Sequence, residues 1–159
     1  MRFQAHYVVR AASAQSFAPL EHAAVSCGGI KAMHKDGGFY VFLEPLPVEG
    51  TITVSCPGYS ASQQKCRTSG RGVVYLSRNG APRTELRLMA ALPAATGEQK
   101  LTVVFTDSVQ PQILDGCTLD HGFGRTRIAG FDRAASVITL EEPLTRPLPH
   151  GMQLTVRTE

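Results

Sequence analysis

Between His22 and Tyr59 short apolar runs and turn residues alternate in close order. Ala23 to Cys27 is stopped by Gly28-Gly29. Ile30 to His34 meets a Lys35-Asp36-Gly37-Gly38 corner, and the aromatic run Phe39 to Leu43 is broken by Pro45 and Pro47. Thr51 to Cys56 then ends at Pro57-Gly58. Each run is too short for a stable helix, and each is closed by residues that take positive φ or fix it, so strands joined by tight turns are the expected structure. Asp36-Gly37 between two extended runs is the strongest of these signals and predicts a hairpin.

The same style continues outward. Phe3, Ala5, Tyr7 and Val9 alternate with Gln4, His6, Val8 and Arg10, the period of a half-buried strand, and Ala11 to Ala18 reads as a loop or brief helical turn. Gly72 to Leu76 is a further strand, and Ser77-Arg78-Asn79-Gly80-Ala81-Pro82 is dense in turn formers. A domain boundary is therefore expected there, with units at 1–80 and 81–159. In the second half Glu85–Leu92, Lys100–Thr106, Gln112–Leu119, Thr126–Phe131, Ser136–Leu140 and Met152–Arg157 all read as strands, and no segment carries a helical stripe. The expected class is all-β. Phe39, Val41, Thr51 and Val54 are the expected facing layers of a sandwich in the first half.

At 159 residues, 43% hydrophobic and 18% charged, the chain is long enough to bury a core and has no bias toward disorder. The net charge of +3 is unevenly spread, with Lys65, Arg67, Arg71, Arg78, Arg83 and Arg87 in a region holding one acid, Glu85. On one face such cations would suit phosphate or an acidic partner. No stacking aromatics interleave them, which argues against nucleic acid. Met1 to His6 does not lead into a long apolar core, and no apolar run is long enough to span a bilayer. The expectation is cytoplasmic synthesis without a signal peptide, and incorporation into an extracellular or particle assembly.

Chemical constellations are thin. Cys27, Cys56, Cys66 and Cys117 form no Cys-x-x-Cys pair, so free thiols are expected, with Cys27, Cys56 and Cys117 acting as small buried hydrophobes. Cys27, His34, Cys56 and Cys66 have zinc-binding chemistry but not knuckle spacing, and no metal site is assigned. Asp115, Cys117, Asp120 and His121 bring nucleophile, acid and base types together without an elbow or oxyanion loop, and Asp120-His121 reads as a polar turn. Glu141-Glu142 would point to opposite faces of a strand, and Gly122-Phe123-Gly124 lacks the strand-to-helix context of a phosphate loop. No catalytic residue and no cofactor is expected. Tyr40, Tyr59, Tyr75 and Phe123 are aromatics with a stacking face for carbohydrate, and loop-borne Tyr59 and Phe123 are the candidate ligand-binding residues.

The segments Glu21 to Gly29, His34 to Phe42 and Thr51 to Tyr59 together resemble the carboxypeptidase regulatory-like domain family. The shared elements are a small residue and valine opening a strand, an Asp-Gly corner before an aromatic strand, and a valine-bearing strand ending in Pro-Gly-Tyr. Pro45 to Gly50 is longer than that family's short turn. The resemblance implies a prealbumin-like β-sandwich for the N-terminal half and a non-catalytic accessory or adhesive role. Leu114 to Leu119, Arg127 to Phe131, Val137 to Leu144 and the His150-Gly151 turn are similar to small β-modules of phage-tail and surface-fibre proteins, implying a small C-terminal β-barrel or β-sandwich module. The function expected from these readings is a structural or protein-interaction module with a protein partner or a second copy as ligand. The alternative is a carbohydrate-binding module. Sheet edges would supply the binding surface, with Pro45 to Pro47 and Pro143 to Pro149 as edge guards.

Overall fold

The computed structural model describes residues 5–47, 49–67, 70–81, 85–107 and 109–158. It is all-β, with no helix among the described residues, and it divides into two compact units, Met1–Pro82 and Arg83–Glu159. No helix of the described chain is long and apolar enough to cross a membrane.

The first unit holds β1 (Tyr7–Ser13), β2 (Ala24–Cys27), β3 (Ile30–Lys31), β4 (Met33–Lys35), β5 (Phe39–Phe42), β6 (Thr51–Ser55), β7 (Ser62–Lys65) and β8 (Arg71–Leu76). They form two four-stranded sheets, ordered β4-β5-β1-β8 and β3-β2-β6-β7. One buried cluster joins them, with Val9, Tyr40, Phe42, Val74 and Leu76 from the first sheet meeting Val25, Cys27, Ile52 and Val54 from the second. Burying each large side chain contributes about 1.5–3 kcal/mol, so this shared layer is what makes a sandwich of two sheets. β3 and β4 are separated only by Ala32, so a single run of chain crosses between the sheets and closes one side. β7 and β8 are the edge strands on the other side.

The Asp-Gly hairpin is present: Lys35 pairs with Phe39 across Asp36-Gly37-Gly38, and both glycines have positive φ, 90° and 76°. Gly38 is irreplaceable for a second reason. A Cβ there would lie 2.7 Å from the Ala11 carbonyl oxygen and 2.8 Å from Pro19 Cβ.

Several expectations need correction. Phe3 lies outside the described residues. Strand β1 runs on to Ser13, and residues 11–14 are buried, because β8 pairs with it in parallel from Val8–Arg71 to Ser13–Leu76. The expected loop shrinks to a turn in which the Ser13 hydroxyl accepts from the amides of Gln15 and Ser16 and left-handed Phe17 turns inward against Tyr75. The inward face of β5 is Tyr40 and Phe42, not Phe39 and Val41, and in β6 Ile52 and Val54 are buried while Thr51 is exposed. Phe39 stays on the outer face, where the Arg10 guanidinium sits 4.5 Å above its ring.

The second unit holds β9 (Leu86–Ala90), β10 (Lys100–Phe105), β11 (Thr118–Asp120), β12 (Arg125–Asp132), β13 (Val137–Leu140) and β14 (Gln153–Arg157). They close into a barrel, β10-β13-β12-β11-β14-β9, in which every neighbouring pair is antiparallel. Alternate residues fill it, among them Leu86, Leu88, Leu101, Val103, Leu119, Ile128, Ile138, Leu154 and Val156. The expected strand Gln112–Leu119 is only its last part. Ile113 and Leu114 are buried without ladder partners, and a turn at Asp115-Gly116 precedes β11. Closure removes the edges that Pro143 to Pro149 was expected to guard. That segment instead folds back onto Ala94, exchanging both backbone bonds with it through Leu148 at 2.8 and 2.9 Å.

Candidate functional site

The β7–β8 side of the sandwich is where the sequence places an unbalanced charge. Residues 1–82 carry eight Lys and Arg against four Asp and Glu, whereas residues 83–159 carry eight against nine. From Gly50 to Thr84 there is no acid at all. Lys65 closes β7, Arg67 follows it, Arg71 opens β8 and Arg78 follows β8, and all four are exposed.

Contacts at both ends of the seam bring the two sheets together on this side. The Gln64 side chain spans the seam to β8, its Nε2 lying 2.8 Å from where a Cβ on Gly72 would stand. A side chain at that position would displace the Gln64 amide. The Tyr7 hydroxyl accepts from the Arg67 amide at 2.9 Å and lies 3.4 Å from the same point at Gly72. At the far end Ser60 donates its amide to the Ser77 carbonyl at 2.8 Å, and Tyr59 pairs with Arg78. Lys65, Arg67 and Arg71 thus lie at or just beyond the ends of two strands that each have a single strand neighbour. The Gln64 Nε2 donor is buried and has no partner among the described residues. Strand β7, Ser-Gln-Gln-Lys, was not foreseen, since it has no apolar alternation; its only sequence signal is the absence of Gly and Pro between Ala61 and Lys65.

The aromatic candidates fall differently. Tyr40 and Tyr75 are core residues, 1% and 5% exposed. Tyr59 is half-buried against the sandwich core. Phe123 lies in the β11–β12 turn of the barrel, half-buried, with the His121 ring 4.2 Å away and the Arg146 guanidinium 5.9 Å from its centroid. Tyr59 and Phe123 belong to different units.

Asp120-His121 leads into a turn, with the His121 amide donating to the Gly124 carbonyl at 3.1 Å, but the His121 side chain is buried. It is 6% exposed, because Leu119 and His121 alternate inward at the end of the barrel. Its Nδ1 and the nearby inward hydroxyl of Thr126 are both buried without hydrogen-bond partners among the described residues. Burial lowers the His121 pKa, outweighing the opposing pull of the Asp120 carboxylate. Asp120 itself accepts from the Gly122 amide at 3.0 Å and pairs with Arg125 at 3.5 Å, and the amide bond leads the causes that lower its pKa. Cys117 is fully buried.

Cys27 is buried and Cys56 and Cys66 are half-buried, all as free thiols. His34 faces outward, paired to Glu21 at 2.7 Å. Among the described residues no three His, Cys, Asp or Glu side chains are grouped to hold a metal ion.

The chain matches no protein-family model, and no curated protein and no solved structure is significantly similar to it.

Proposed function

We propose that the protein is a non-catalytic interaction module whose N-terminal unit takes up an acidic, extended segment of a partner along the β7–β8 side. The observation that carries this reading is the coincidence of two adjacent sheet edges with Lys65, Arg67 and Arg71 and a stretch of chain without acids. Strand addition supplies affinity through backbone hydrogen bonds and needs no special side chain on the receiving edge. The cations add the selection. They oppose pairing with a second copy of the same basic edge, which keeps the edge from self-association, and they attract an acidic strand.

The test is titration of the full chain with a labelled acidic peptide of alternating Glu and Val, its Lys-for-Glu counterpart, and a backbone N-methylated acidic version. The acidic peptide is expected to bind best, with affinity falling as salt rises, and the N-methylated one to lose binding. The triple variant Lys65→Glu, Arg67→Glu, Arg71→Glu should lose about tenfold or more, roughly 1.4 kcal/mol. Equal binding of acidic and basic peptides, or full binding of the N-methylated peptide, overturns the reading.

A further inference from the structure

We propose that Cys27 and Cys66 are a two-thiol oxidation site, closing an intramolecular disulfide over Gly50 that staples the end of β2 to the end of β7. The geometry is local and specific. Cys27 ends β2 with its side chain in the core, and Cys66, one residue past β7, packs against the same core. Strand β6 lies between them. The residue of that chain lying between the two thiols is Gly50, whose carbonyl accepts from the Cys66 amide at 3.0 Å. A Cβ on Gly50 would stand 2.8 Å from the Cys27 sulfur. The absent side chain leaves room beside the Cys27 sulfur, and the Cys66 thiol is close enough to Cys27 to act on its ionisation.

The thiols differ in access. Cys66 is half-buried, whereas Cys27 is 1% exposed. Burial first, and the neighbouring Cys66 after it, raise the Cys27 pKa, so Cys27 is the poorer initial nucleophile. A small disulfide oxidant such as oxidised glutathione is therefore attacked by the Cys66 thiolate. One oxidant sulfur leaves as a thiolate and Cys66 holds the other in a mixed disulfide. The Cys27 thiolate then attacks the Cys66 sulfur, the mixed disulfide breaks, and the second oxidant sulfur leaves. Two cysteines are oxidised, one oxidant disulfide is reduced to two thiols, and the two cysteine protons end on them.

Closure changes shape as well as covalency. Strands two apart in a flat sheet lie roughly 9.5 Å from each other, and Cys27 is level with Ile52 whereas Cys66 is level with Gly50. A disulfide wants its Cα atoms within about 7 Å. Oxidation thus draws the end of β7 inward over Gly50, and moves Arg67, whose amide is held by Tyr7. The inference is independent of what binds the neighbouring edge.

The test equilibrates the full chain in glutathione buffers of graded redox poise, quenches with acid, alkylates free thiols and maps peptides without reduction. The expected result is loss of two thiols together, a two-hydrogen decrease in mass, a Cys27–Cys66 linked peptide, and a changed hydrogen-exchange rate at the Arg67 amide. Cys66→Ser should keep its remaining thiols reduced. Gly50→Ala should need a buffer at least tenfold more oxidising for half-closure. Arrest at a glutathione adduct on Cys66, linkage through Cys56, or a disulfide between two chains overturns the proposal.

Discussion

The hydroxyl of Tyr40 donates to the carbonyl oxygen of Leu20 at 2.7 Å, and the ring that carries it is 1% exposed. The Tyr40 hydroxyl oxygen in turn accepts from the Ala23 amide at 2.9 Å, so one side chain on β5 fixes both ends of the loop leading into β2. Tyr40→Phe keeps the ring and strands a carbonyl and an amide. Unfolding by denaturant should show a loss of about 1–3 kcal/mol with an unchanged m-value. Wild-type stability would show that water satisfies both groups.

The two hairpin glycines should differ in their tolerance of a methyl group. Gly37→Ala meets only the edge of the Phe39 ring, at 3.3 Å, and carries the positive-φ penalty of about 1–2 kcal/mol. Gly38→Ala carries that penalty and drives its Cβ into backbone at 2.7 Å, so it should cost more than Gly37→Ala and possess a lower thermal midpoint. Replacing Asp36-Gly37 by Ala-Ala should also destabilise this unit. Equal midpoints for the two single variants would contradict the close approach to Ala11.

Stability of the barrel should depend on pH through His121. Its folded pKa is lowered by burial, so the unfolded chain binds the proton more readily. The stabilisation is complete above the unfolded value of about 6.5 and is lost as pH falls through it toward the folded pKa. Asp120 acts in a separate window. Its lowered pKa stabilises above about 3.9 and is lost as pH falls further, through the folded value. Denaturant midpoints at stepped pH should fall in the first window for the wild type and not for a folded His121→Phe variant.

Thr126 carries a buried hydroxyl with no partner among the described residues. Thr126→Val replaces it with a methyl group of similar shape, and the barrel should be unchanged or more stable, by up to roughly 1–2 kcal/mol. A large loss would show that the hydroxyl is satisfied by a bound water.

Much of this architecture was legible because its signals are local. The Asp36-Gly37 corner, the stops at Pro57-Gly58 and Asn79-Gly80, and the alternation of Leu86, Leu88 and Ala90 each act within a few residues. What was not legible depends on partners far along the chain. Apolar and aromatic residues occupy both faces of Phe39 to Phe42, so periodicity alone could not choose the inward pair. Strand β7 has no apolar residue and exists because β6 offers Thr51 to Val54 as a template. The cluster of cations was visible as composition, but its place at the seam depends on Gln64 reaching Gly72. The space beside the Cys27 sulfur, which Cys66 borders, depends on a glycine in a third segment.

The parallel pairing of β1 with β8 has a mechanical consequence. These are the first and last strands of their unit, with Val8 beside Arg71 at one end of the ladder and Ser13 beside Leu76 at the other. Tension entering before Tyr7 and leaving after Leu76 pulls the two strands past each other along their length. All the ladder bonds are then loaded at once, instead of opening singly from one end. An assembly that stretched this chain would meet its resistance at the β1–β8 ladder, and under such a load the unit would behave as a clamp.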